Sequence, residues 1–241
     1  MDKRKPIIAL DFASKQATLD WLDQFPDQSL NVKVGMTLYY SVGPDLLTTI
    51  KDRGHDIFLD LKLHDIPNTV GGAMTQLAKL GVDMVNVHAA GGRQMMTAAK
   101  EGLDRGTPAG KQSPLLIAVT QLTSTSQETM QADQLITCTL EESVSHYAQI
   151  SHLAGLDGVV CSPREAKLIK AATGPDFITV CPGIRPANYT NRDDQVRIMT
   201  PEKAAQNGCD YIVVGRPITQ APDPYQSYLN ICQAWQEALN D

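Results

Sequence analysis

The sequence predicts an α/β protein, a (β/α)8 barrel occupying residues 1–241 as a single domain. Eight short apolar, β-branched runs recur along the chain, and helical patterns alternate with them. That alternation is the mark of parallel strands joined by right-handed crossovers. Eight such units close into a barrel at roughly 250 residues, close to the length of this chain. A doubly wound open sheet would carry a G-x-G-x-x-G turn after its first strand, and LDFASK stands there instead.

The first run, PIIAL (6–10), is wholly apolar, as befits a strand covered on both faces. SKQATLDWLDQF follows it with helical spacing. NVKVGM (31–36) is the second strand, interrupted by Lys33, and PDLLTTIKDRG its helix. The third, DIFLDLKL (56–63), puts Ile57, Leu59, Leu61 and Leu63 on one face and Asp60 and Lys62 on the other, because strand side chains alternate. PNTVGGAMTQLAKLG comes next, then the fourth strand MVNVHA (84–89) and the helical GRQMMTAAKEGLDRG. LLIAVTQL (115–122) is the fifth strand. A long segment from Thr123 to about Cys138 separates it from TLEESVSHYAQISHLAG, where Thr139 and Glu142 fit a capping box and Gly155 a helix end. GVVCS (158–162), FITVC (177–181) and YIVVG (211–215) complete the eight. Pro163 and Pro201 suit first helical turns, and a last helix is expected from about Asp223 to Leu239. A second long segment, Pro182 to about Thr200, follows the seventh strand. Segments of this length in a compact domain are usually lids or binding loops.

The balance of charges narrows the function. A net charge of -6 argues against a nucleic-acid partner. No apolar stretch approaches the length of a membrane span, and the run in MDKRKPIIALDF is too short for a signal peptide. Cys138, Cys161, Cys181, Cys209 and Cys232 are scattered and odd in number, which reads as free thiols in a reducing cytoplasm. The five histidines show no metal-ligand spacing, so they predict no metal site.

Polar groups gather at the carboxyl ends of the strands, where barrel enzymes build their sites. Asp11 ends the first strand, Lys33 lies in the second, and Asp60 and Lys62 lie in the third with Asp65 just beyond. Thr123 follows the fifth, Arg185 the seventh, and Gly215 and Arg216 end the eighth. His88 and Ser162 hold similar places but read as packing residues. A charge deep in a covered strand is costly unless paired. Lys33, Asp60, Lys62 and Asp65 sum to zero, so an alternating array would let each ion solvate its neighbour. The loops after strands seven and eight are the usual phosphate site of this architecture, and VVGRPI with Arg185 and Gln195 offers a close backbone approach and forked donors.

These motifs resemble those of one family. DLKLHDIPNT (60–69) is similar to the D-x-K-x-x-D signature of orotidine 5'-phosphate decarboxylases. ALDF (9–12), KVG (33–35), TQLTS (120–124), PGIRP (182–186) and VVGRPI (213–218) match in the same order. The resemblance implies decarboxylation of orotidine 5'-phosphate to UMP in pyrimidine synthesis by a homodimeric barrel without metal or cofactor. It implies Lys62 as proton donor, with Lys33, Asp60 and Asp65 completing the charged array. Asp65, Ile66 and Thr69 would reach into the partner's site, and Asp11 and Lys33 would hold the ribose. Thr123 would touch the pyrimidine. Gln195, Gly215 and Arg216 would hold the phosphate, with Arg185 in the closing loop. A metal-dependent sugar-phosphate decarboxylase or aldolase of the same superfamily is the alternative, but such relatives carry an acid where this chain has Lys33. A non-catalytic nucleotide-phosphate sensor is another.

Overall fold

The computed structural model describes residues 1–187, 189 and 197–240. The strands are β1 (Ile7–Ala9), β2 (Asn31–Gly35), β3 (Asp56–Leu63), β4 (Met84–His88), β5 (Leu115–Val119), β6 (Gly158–Val160), β7 (Ile178–Cys181) and β8 (Tyr211–Val214). All are parallel. Each pairs with its sequence neighbours, and β8 returns to β1 through Ile7↔Val213 and Ile8↔Val214, closing the barrel. All eight lie within the runs predicted from sequence.

The helices are α1 (Lys15–Leu22), α2 (Met36–Val42), α3 (Asp45–Asp52), α4 (Pro67–Leu77), α5 (Gly92–Gly106), α6 (Gln127–Asp133), α7 (Leu140–Leu153), α8 (Ala166–Thr173), α9 (Pro201–Gln206), α10 (Arg216–Thr219) and α11 (Pro224–Asn240). The capping box at Thr139 and Glu142 is formed at the start of α7, and Pro201 opens α9. Three departures stand out. The short helices α2, α6 and α10 carry little pattern of their own. The segment after β5 therefore holds a helix, capped by the Ser126 side chain. Pro163 lies in a turn before α8 rather than in its first turn.

Alternation along the strands divides the apolar residues into two layers. Ile7, Phe58, Met84, Ile117, Val180 and Tyr211 belong to a cluster filling the barrel. Ile57, Leu59 and Leu61 join the larger layer between strands and helices, with Leu63 packed against it. No helix among the described residues is long and apolar enough to cross a membrane.

At the amino end of the barrel one device recurs three times. Gly81-Val82-Asp83, Gly155-Leu156-Asp157 and Gly208-Cys209-Asp210 precede β4, β6 and β8. Each glycine has a positive φ, and each aspartate accepts a backbone N–H from the preceding strand. The bonds are Ile57 N to Asp83 at 2.7 Å, Leu116 N to Asp157 at 2.7 Å and Thr179 N to Asp210 at 2.8 Å. Lys51 pairs with Asp83 at 2.8 Å and Lys170 with Asp210 at 2.6 Å.

Two further features position the site. Between Leu59↔Val85 and Leu63↔Val87 the β3–β4 register slips, so β3 carries a bulge. Within it Lys62 has φ 52°, a left-handed backbone that non-glycine residues seldom adopt. Just beyond, α4 packs against α5 backbone to backbone. A methyl group at Gly102 would overlap the Gly71 carbonyl, and one at Gly106 the Thr75 carbonyl.

Candidate active site

Asp60 is the centre of the charged cluster. It is buried near the carboxyl end of β3, on the barrel-facing side. Its Oδ1 receives the Lys62 ammonium at 2.6 Å and the Asn86 amide at 2.7 Å. Its Oδ2 lies 3.2 Å from the Lys33 ammonium, which is also 3.4 Å from Asp11 Oδ1. The parallel register that sets Gly35 beside Asp60 brings β2 and its Lys33 into reach. Gly35 itself leaves room for that ammonium, since a Cβ there would stand 3.2 Å from Lys33 Nζ.

The cluster holds its charges. Burial alone would push the Asp60 carboxyl up, but Lys33, then Lys62, and the bonds from Lys62 and Asn86 outweigh it, leaving it below its ordinary range. Burial would likewise lower Lys33, yet Asp60 and Asp11 hold it above its ordinary value. Burial, followed by the neighbouring His64 and Lys62, depresses His88, favouring its neutral form.

Lys33, Asp60 and Lys62 form one wall of a cavity of about 230 Å³ at the carboxyl mouth. Thr123, with Leu122 and Ser124, lines it from the loop after β5. An apolar floor includes Phe58 and Val213. The site thus joins fixed positive charge to a small, largely apolar chamber, which suits a planar anionic ligand.

The other predicted residues fall around this centre. Asp11 is at the exposed rim. Asp65, Ile66 and Thr69 are exposed at the start of α4, outside the cavity lining. Asp65 accepts the Ile66 N–H at 2.6 Å and makes no ion pair among the described residues. Within its own chain it therefore does not join the Lys33–Asp60–Lys62 array. Arg185 is buried, donates to the Ile184 carbonyl at 2.7 Å and lies over the Tyr189 ring. Gly215 and Arg216 mark the step from β8 to α10, with Gly215 close against Ala9. Gln195 lies outside the described residues.

Two groups of residues were not singled out from the sequence. Asn86 stands in the middle of β4, away from the strand ends where polar groups gathered, although an amide inside an apolar run was a readable signal. Arg197 is buried and pairs with Glu165. It also donates to the Leu122 carbonyl at 2.7 Å, while Glu165 accepts the Ser162 N–H at 2.9 Å. This staple ties together the segments after β5, β6 and β7.

A closed parallel barrel with ion-paired lysines in its carboxyl mouth defines a barrel enzyme for a small anionic substrate. Comparison with known proteins narrows the class. The model of the orotidine 5'-phosphate decarboxylase / HUMPS family matches residues 4–231. The orotidine 5'-phosphate decarboxylase of Streptococcus suis (strain 05ZYH33) is 59% identical over 236 residues, 98% of this chain and 99% of that protein. That of Lactococcus lactis subsp. lactis (strain IL1403) is 58% identical with the same coverage. The crystal structure of orotidine 5'-phosphate decarboxylase from Lactobacillus acidophilus superposes with a TM-score of 0.87 at 43% identity, covering 96% of this chain and 99% of that one. The chain belongs to the orotidine 5'-phosphate decarboxylase / HUMPS family.

Proposed function

We propose that this protein decarboxylates orotidine 5'-phosphate to UMP, using no metal or organic cofactor. It would act as a homodimer of single-domain barrels in the cytoplasm. The observation that carries this reading is Asp60 held between Lys33 and Lys62 at the wall of the mouth cavity. The proteins named above supply the substrate.

The chemistry asks for such an array. The C6–carboxylate bond breaks, CO2 leaves, and the electron pair stays on an sp² carbon with no adjacent carbonyl to accept it. A preorganised ammonium stabilises that charge as it develops. Lys62 then gives its proton to C6 and is reprotonated from water. Asp60 serves twice, fixing the Lys62 ammonium and setting a like charge near the departing carboxylate. Lys33 and Asp11 would bind the ribose, and Thr123 the pyrimidine. Arg216, Gly215 and Gln195 would bind the phosphate, with Arg185 in the loop that closes over it. Phosphate binding remote from the reacting carbon can drive that closure. A lysine at position 33 opposes a divalent cation, which disfavours the metal-dependent alternative.

Asp65, Ile66 and Thr69 would enter the partner's site. Their exposure, outside the lining of their own chain's cavity, supports this reading. The decisive test is loss of orotidine 5'-phosphate absorbance on adding the purified protein, with and without exhaustive chelation. Turnover indifferent to chelator is expected. Absence of turnover refutes the activity, and turnover restored only by Mg²⁺ favours the sugar-phosphate alternative.

A further inference from the structure

Asn86 is only 1% exposed, in a strand otherwise flanked by Val85 and Val87. A buried amide without partners is costly, so its bonds are informative. Its Nδ2 donates to Asp60 Oδ1 at 2.7 Å, and its Oδ1 accepts the Lys62 backbone N–H at 2.8 Å. The two partners fix the amide's orientation, because a carboxylate only accepts and a backbone N–H only donates.

Both bonds land on the bulge. Asn86 lies between Val85 and Val87, whose partners Leu59 and Leu63 bracket the extra residues of β3. It thus replaces the regular ladder where the ladder fails. It grips Lys62 at the residue with left-handed φ, and grips the carboxylate that binds the Lys62 ammonium at 2.6 Å. A simple β pleat would not hold that backbone, and lysine has no intrinsic preference for it.

We infer that Asn86 is a positioning residue for the reaction: one side-chain amide holds the left-handed backbone of Lys62 and the carboxylate of Asp60 in a single unit, aiming the ammonium into the cavity. This rests on the decarboxylase reading, with Lys62 as proton donor. Asn86 touches no reacting atom; it acts through Lys62 and Asp60.

Two variants test it, each compared with wild type for turnover, UMP affinity and melting. Asn86→Ala removes both bonds. Loss of placement at a reacting group costs on the order of 10²-fold, so kcat should fall by about that factor with UMP affinity little changed. Asn86→Asp keeps the shape and the acceptor but loses the donor. The ionisable groups facing it are Asp60 and Lys62 from β3, Lys33 from β2, and His88 from β4. Two adjacent carboxyls share a proton with a raised affinity. On acidification that proton rebuilds a donor toward Asp60. Activity of Asn86→Asp should therefore climb as pH falls, roughly tenfold per unit over its titration, where wild type does not climb. A merely structural amide predicts lower melting temperatures with kcat near wild type and no acid recovery, and either result in a folded variant overturns the inference. If Asn86→Ala does not fold, the isosteric Asn86→Asp at acid pH decides alone. A wild type without turnover refutes the functional reading and this inference with it.

Discussion

The two ends of the barrel use the same residue types for opposite ends. At the amino end, Asp83, Asp157 and Asp210 each spend a carboxylate oxygen on a backbone N–H of the preceding strand. Two of them also hold a lysine, Lys51 on Asp83 and Lys170 on Asp210. At the carboxyl end, Asp60 takes no backbone N–H among the described residues and is bonded there by side chains. Charge at one end holds strands in register. At the other it holds charge ready for a ligand, and the backbone is distorted to allow it. Stability and activity should therefore be separable by end.

The largest separation is expected between Lys62→Ala and Asp210→Ala. Loss of a general acid costs about 10²–10⁴-fold, and loss of an electrostatic stabiliser a further 10²–10³-fold or so. Lys62→Ala should thus lower kcat by at least 10⁴-fold with little change in melting. Asp210→Ala leaves Lys170 and the Thr179 N–H without their carboxylate. It should cost about 3 kcal/mol in denaturant unfolding while kcat per folded molecule holds. A catalytic collapse in Asp210→Ala would break the comparison.

Complementation sharpens it by asking whether the active end is complete in one chain. Lys62→Ala and Asp65→Ala should each be nearly inactive. On the proposed shared-site dimer, mixing, dissociation and reassociation in equal amounts would give half the dimers unlike chains, each of those with one intact site. About a quarter of wild-type site activity should return. No recovery, with mixed dimers demonstrated, would place Asp65 in its own subunit's site or outside the chemistry.

Arg197 should show an intermediate response. Its staple to Glu165 and the Leu122 carbonyl ties loops together, as the amino-end pairs tie strands, but it is more deeply buried than they are and borders the cavity. Arg197→Ala should lose both melting temperature and, by displacing the Thr123 segment, about 10²-fold in kcat/KM. An effect on melting alone would assign the staple to the fold.

The smallest contrast is in acid. Burial raises the Asp210 carboxyl, but the bonds from Lys170 and Thr179 outweigh it, so its folded pKa lies below the ordinary 3.8. The stabilisation is then complete above 3.8 and lost as pH falls through the lower folded value. Unfolding free energies of wild type and Asp210→Ala should differ at pH 7 and converge in strong acid. A gap that persists there would mean the carboxylate's charge is not its contribution.

Most of the fold was legible because eight apolar runs survive translation into eight strands. The short helices α2, α6 and α10 were not, since their stability comes from packing rather than from their own pattern. At the site, Lys33, Asp60 and Lys62 could be grouped because each lies in a strand whose end is the mouth. Their meeting was expected from simple alternation, whereas Lys62 gets there through a left-handed residue in a bulge. Nothing in a lysine announces that conformation, which is also why its brace, Asn86, passed unnoticed. The three Gly-x-Asp triplets were present in plain sight, but their meaning depends on which strand each one bonds.

The glycine seam between α4 and α5 has a consequence for how this protein can vary. Gly71 and Gly72 are adjacent letters in one helix, each an intrinsic weakness there. They are not equivalent. Gly71 lies under the path of α5, its would-be Cβ 3.0 Å from the Ala98 carbonyl, whereas at Gly72 nothing stands within 4 Å. Random variation in this helix should therefore keep a small residue at 71 while drifting freely at 72. The constraint on 102 and 106 is stricter still, because no side chain fits between the backbones. The seam thus removes α4, and the segment that begins it, from the parts of the molecule that can shift gradually. A displacement of the helix axis there would be tolerated whole or not at all.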